Sequence, residues 1–172
     1  MSGASGTVLR LVAALACGAL LLACAAPAAT SAPQWSATAS FERCPWSFGQ
    51  AGVDVIRERA AWEQLLAQAK PIPASVQVWK PQFDAKQAIV LVRAGMKPSA
   101  GFSLQLQAPA APQAGKALRL PVLQTRPAPG TLQASVVTSP CAIGWLNQPG
   151  SASVELIDAQ TAQPLPMPFN KP

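Results

Sequence analysis

Histidine is absent from this chain of 172 residues, and the absence limits what chemistry the rest can do. A Ser-His or Cys-His nucleophile needs a base that titrates near neutrality, and an ordinary zinc site draws on imidazole. The seven carboxylates, Glu42, Asp54, Glu58, Glu63, Asp84, Glu155 and Asp158, fall at no spacing that pairs two of them as acid and base. A lysine-serine dyad is conceivable at Lys97 and Ser99, but loop serines mostly hydrogen-bond their own backbone. The expectation is a protein that works by contact and not by turnover, with no metal and no small-molecule cofactor.

The four cysteines carry more information. Residues 1–23 read as a secretory signal, with Arg10 ahead of the apolar run from Leu11 to Leu22, which is too short to span a bilayer as a stable helix. The run ends in Leu21-Leu22-Ala23-Cys24, which resembles the lipobox at which bacterial lipoproteins are cut and lipidated. That resemblance implies a lipid on Cys24; the alternative is cleavage near Ala23-Cys24-Ala25 and a free thiol. Ala26 in place of aspartate implies anchorage in the outer membrane of a diderm cell. With Cys17 discarded and Cys24 lipidated, Cys44 and Cys141 remain as a pair in an oxidising compartment, where a disulfide is expected over two independently buried thiols. Such a bond closes a loop near 100 residues, worth roughly 4.7 kcal/mol in the chain-entropy picture.

Lysines and arginines outnumber acids by six, one of them Arg10 in the signal, and they are scattered. Nucleic-acid binding requires a concentrated basic stripe, so the charge is better read as suiting an anionic membrane surface. Proline, at 18 residues, and the lack of tyrosine accompany a chain rich in turns and short strands.

The elements that must position these residues follow from local pattern. Residues 24–40 are mostly Ala, Pro, Ser and Thr and read as a flexible tether with a reach of about 22 Å. Residues 41–160 form the folded domain and 161–172 a frayed proline-rich tail. Ile89, Val90, Leu91 and Val92 make an uninterrupted run suited to a strand buried on both faces. Phe102, Leu104 and Leu106 alternate with polar residues, so the two segments read as a hairpin around a displayed loop punctuated by Gly95, Pro98 and Gly101. Strands are also expected over 52–58, 118–122, 133–138, 142–146 and 153–158. One helix is expected over 60–69, with Trp62 and Leu65 on its apolar stripe and Pro71 as its stop. Residues 72–83 read as an extended edge or loop. The predicted fold is mainly β with one short helix, an antiparallel two-sheet β-sandwich, immunoglobulin-like in outline.

Lys97-Pro98-Ser99-Ala100-Gly101-Phe102 resembles the Pro-Thr-Gly-Gly-Tyr turn of the protease complex subunit PrcB family. Trp62 with Leu65, Pro81-Gln82-Phe83-Asp84, and Thr138-Ser139-Pro140-Cys141 follow in the family's order, so the resemblance spans residues 53–158. The family's paired glycine is Ala100-Gly101 here, Asp84 follows Phe83 instead of preceding an aromatic, and Cys141 replaces a tyrosine. The resemblance implies a non-enzymatic accessory or stabilising subunit of a surface or periplasmic protease complex, held at the membrane by its lipid and bound to a protease or other envelope protein. The contact loop would be Lys97, Pro98, Ser99, Ala100, Gly101 and Phe102, joined by the stiff turn at Arg126, Pro127 and Pro129. The same loop is also similar to the Asn-Pro-Thr-Thr-Gly-aromatic loop of chagasin-type cysteine protease inhibitors, with Lys97 in place of asparagine and Ala128 in place of a later aromatic. A structural envelope lipoprotein without a protease partner is the third reading.

Overall fold

A computed structural model describes residues 33–46, 49–84, 86–109, 117–147 and 153–165. Among these residues seven strands and two helices follow one another as β1 (Gln34–Phe41), β2 (Ala51–Ile56), α1 (Arg59–Gln68), α2 (Ala74–Gln77), β3 (Gln87–Ala94), β4 (Ser103–Leu106), β5 (Leu118–Thr125), β6 (Cys141–Asn147) and β7 (Val154–Asp158). They form a β-sandwich of two sheets, ordered β1-β6-β3-β2 and β4-β5-β7.

β3 is the centre of the molecule, for the reason its sequence gives. Ile89 and Leu91 point to one side of the first sheet and Val90 and Val92 to the other, and all four have no solvent exposure. On the sandwich side, Val90, Val92, Ala142 and Leu146 meet Leu104, Leu118, Leu120, Val122 and Leu156 of the second sheet. On the outer side, Ile56, Ile89, Leu91 and Ile143 meet Trp62 and Leu65 of α1 and Val76 of α2, while Trp79 stacks on Trp62 at 6.3 Å. The helices therefore make a third layer. Each such side chain contributes on the order of 1.5–3 kcal/mol by leaving water.

The expected hairpin over residues 88–107 is corrected. β3 already has β2 on one edge and β6 on the other, both antiparallel, so no edge is left for β4. The chain crosses to the second sheet instead, where β4 pairs with β5. Residues 97–102 are thus a connection between sheets.

Other expectations shift for equally local reasons. The tether was expected to run to Ser40, but Gln34–Phe41 is an edge strand antiparallel to β6. Its Ala-Ser-Thr composition hides a strict alternation, with Ala37, Ala39 and Phe41 facing the helical core. An irregularity between Trp35 and Ala37 turns Trp35 to the opposite core, where it sits over Gly144 and donates from Nε1 to the Gln107 carbonyl at 2.7 Å. A Cβ on Gly144 would lie 2.5 Å from the Trp35 ring, so that close approach requires glycine. Within 72–83 the chain makes the short helix α2. The second sheet is mixed, because β7 runs parallel to β5. Residues 133–137 form no strand and are exposed. Of the tail, Leu165 is held by a hydrogen bond from its N–H to the Leu156 carbonyl and packs on the sandwich core. The signal, Cys24, most of the tether and residues 166–172 lie outside the described residues.

The disulfide is present between Cys44 and Cys141, whose Cα atoms are 5.3 Å apart. It straps the segment after β1 to the head of β6. Around it, Cys44 N–H donates to the Ser139 carbonyl at 2.8 Å, Ser139 N–H donates to the Glu42 carbonyl at 3.1 Å, and Phe41 meets Trp46 edge-on.

Candidate docking cleft

The connection over 97–102 is held by backbone before any side chain acts. Lys97 and Thr138 exchange two hydrogen bonds, of 2.8 and 3.0 Å, Ala100 N–H donates to the Ala134 carbonyl, and the Thr138 hydroxyl donates to the Ser99 carbonyl at 3.0 Å. Thr138 is itself buried, so the loop hangs from the sandwich and not from solvent. Gly101 has φ +85°, and a Cβ there would meet Gln133 Oε1 at 2.9 Å and Pro127 Cγ at 3.1 Å. The left-handed position is Gly101 and not Ala100, so a Cβ at position 100 costs the turn nothing.

That contact with Pro127 joins the two loops singled out in the sequence. Lys97, Pro98, Ser99, Phe102, Arg126 and Pro127 line one cavity of about 820 Å³. Ala94, Met96, Ser103, Leu104, Gln124, Thr125 and Pro140 complete its wall. These seven were missed because they lie at or just beyond strand ends. Their approach follows from register, in which Ser103 faces Thr125 and Leu104 faces Gln124 across β4 and β5. Local pattern carries no such signal.

Three expected site residues stand apart from the wall. Ala100 and Gly101 shape the loop from behind, and Pro129 sits exposed in the turn that Gly130 closes at φ +77°. There Thr131 donates from both N–H and hydroxyl to the Ala128 carbonyl, at 3.2 and 2.7 Å. Among the described residues no hydrogen bond joins the Lys97 amine to the Ser99 hydroxyl, so the geometry of a dyad is not formed.

The cleft is cationic. Burial, and secondarily the nearby Arg126 guanidinium, hold the Lys97 amine below its ordinary value. Neither Lys97 nor Arg126 makes an ion pair among the described residues, whereas Arg93 pairs with Asp54 and Arg119 with Glu155. The carboxylate whose field reaches Arg126 is Asp158. It lies below the ordinary carboxylate value chiefly through the backbone N–H groups of Thr161 and Gln160, with Arg126 the least of its causes. A second cavity of about 810 Å³ opens beside the disulfide, between Arg43, Pro45, Lys70 and Pro71 on one side and Ser135, Val136 and Val137 on the other.

No cluster of three potential metal ligands occurs among the described residues, and no described helix is long and apolar enough to cross a membrane. No family model, curated protein or solved structure matches the chain. The fold and the site define a two-sheet sandwich with an added helical layer and a cationic cleft at the sheet crossing.

Proposed function

We propose that the chain is a non-catalytic envelope lipoprotein, anchored through Cys24, that docks a protein partner in this cleft. The partner in this reading is a surface or periplasmic protease complex, for which the protein serves as an accessory or stabilising subunit. The observation that supports docking is the convergence of residues 97–99, 102, 126 and 127 on one wall, since two proline-set loops arrive there already ordered. Preordered loops reduce the entropy lost on association. The link to a protease rests on the resemblance to the PrcB family.

Shortening the 97–102 loop is a poor test, because that segment joins the sheets and carries the Lys97 and Thr138 pairing. Side-chain replacement is the cleaner one. Crosslinking and capture of the anchored protein from its own membranes should recover a protease-complex component with the wild type and lose it with Pro98→Gly combined with Phe102→Ala. Recovery unchanged by the double replacement, or no partner with the wild type, rejects the assignment.

The adjacency of the two loops favours one second reading, inhibition of papain-like proteases in the chagasin manner. Titration against such a protease separates the two: tight inhibition supports the inhibitor, and full activity at micromolar protein removes it.

A further inference from the structure

We propose that the cleft recognises an acidic side chain carried on an extended peptide segment with apolar neighbours. This deepens the docking reading and rests on it.

Charge is the first observation. None of the residues lining the cleft is acidic, yet Lys97 and Arg126 both face it and neither has an ion-pair partner among the described residues. Three carboxylates are engaged elsewhere: Asp54 holds Arg93 at 2.8 Å, Glu155 holds Arg119 at 3.0 Å, and Asp158 accepts the N–H groups of Gln160 and Thr161. Two like charges brought together in a partly desolvated cleft repel, and an incoming carboxylate offsets that repulsion.

The rest of the wall says what flanks the carboxylate. Met96, Phe102, Pro98 and Pro127 offer apolar surface, and Met96 is largely exposed while it waits. Ser103 and Leu104 open β4, which is an edge strand paired on one side only, by β5. An extended segment laid there can add its backbone to that free edge while side chains fill the cleft. A terminal carboxylate is the poorer match. Capture of chain ends uses free backbone N–H groups, and those of Lys97 and Ala100 are already donated to Thr138 and Ala134. A flat anionic lipid surface does not explain a concave wall with hydroxyls and an amide from Ser99, Ser103, Thr125 and Gln124.

The test uses the full chain in detergent and the blocked peptide acetyl-Ala-Val-Glu-Val-Ala-amide, with its Gln and Lys counterparts. The Glu peptide is expected to bind at least about tenfold more tightly than the Gln peptide. Lys97→Gln and Arg126→Gln should each erase most of that ratio without lowering the thermal midpoint, and Lys97→Glu with Arg126→Glu should prefer the Lys peptide. Equal affinity for the Glu and Gln peptides, a preference that survives in both Gln variants, or no binding near about 1 mM peptide overturns the proposal. Displacement of the Glu peptide by phosphatidylglycerol vesicles but not by phosphatidylcholine vesicles overturns it in favour of a lipid headgroup. If membrane capture of the partner depends on Pro98 and Phe102 but ignores Lys97 and Arg126, docking stands and acidic recognition alone falls.

Discussion

Two basic sites lie within four residues of one another along β3 and its exit, and the chain treats them in opposite ways. Arg93 is buried, and Asp54 of the neighbouring strand meets its Nη2 at 2.8 Å. Gly52, its partner in the β2 and β3 register, leaves the room: a Cβ there would stand 3.2 Å from the same nitrogen. Among the described residues Lys97 has no carboxylate paired with it and instead faces Arg126 across the cleft. A cation used for folding arrives with its counter-ion and with space cleared for it. A cation held near another of the same sign, at an open wall, has no such counter-ion among the described residues.

Both sites depend on the head of β6. Arg93 pairs in register with Cys141, and Pro140, which accepts the Ala94 N–H, also lines the cleft. The largest effect should therefore come from the disulfide. Replacing Cys44 and Cys141 by serine is expected to cost about 2–5 kcal/mol of unfolding free energy in denaturant titration. The loss should also loosen the bonds from Cys44 and Gly49 to Ser139, visible as faster amide exchange there. Next comes Asp54→Ala, which leaves Arg93 without its partner in a place that already leaves its Nε unbonded. About 1–3 kcal/mol should be lost. A variant as stable as the wild type would mean that Arg93 is no more committed to the fold than Lys97, and the contrast would fail.

How much of this was legible follows the same division between local and distant causes. The two-sided burial of β3 is written in Ile89 through Val92, and the disulfide in the cysteine count once the leader is set aside. Lys97 to Phe102 and Arg126 to Pro127 read as stiff loops because proline and glycine act locally. Their meeting did not, since it depends on β4 leaving β3 for another sheet. β1 was missed because its inward residues, apart from Trp35 and Phe41, are alanines whose contribution is close packing and not size. Residues 133–137 misled in the other direction. Val136 and Val137 favour strands only where a half-buried surface receives them, and they remain 44% and 48% exposed with no edge beside them.

The smallest effect is the one that sharpens the contrast most. The Lys97 amine titrates below its ordinary value in the folded chain, first because it is partly buried and then because Arg126 is near. Between that lowered value and the ordinary one near 10.5, the unfolded chain holds a proton that the folded chain has released, so stability rises with pH across this window. Below it both states are protonated and the penalty stands in full. Lys97→Gln removes the penalty, so at neutral pH the variant should be as stable as the wild type or slightly more so. The gain should stay under about 1 kcal/mol, because water still reaches the amine. Denaturant midpoints at neutral pH and through the alkaline window measure both quantities, with the slope flatter in the variant. A bound carboxylate reverses the cause, since it favours the ammonium and returns the lysine toward its ordinary value. The alkaline slope should therefore weaken when the acidic peptide is present. Destabilisation by Lys97→Gln at neutral pH would instead make Lys97 a second Arg93, a charge the fold needs for itself.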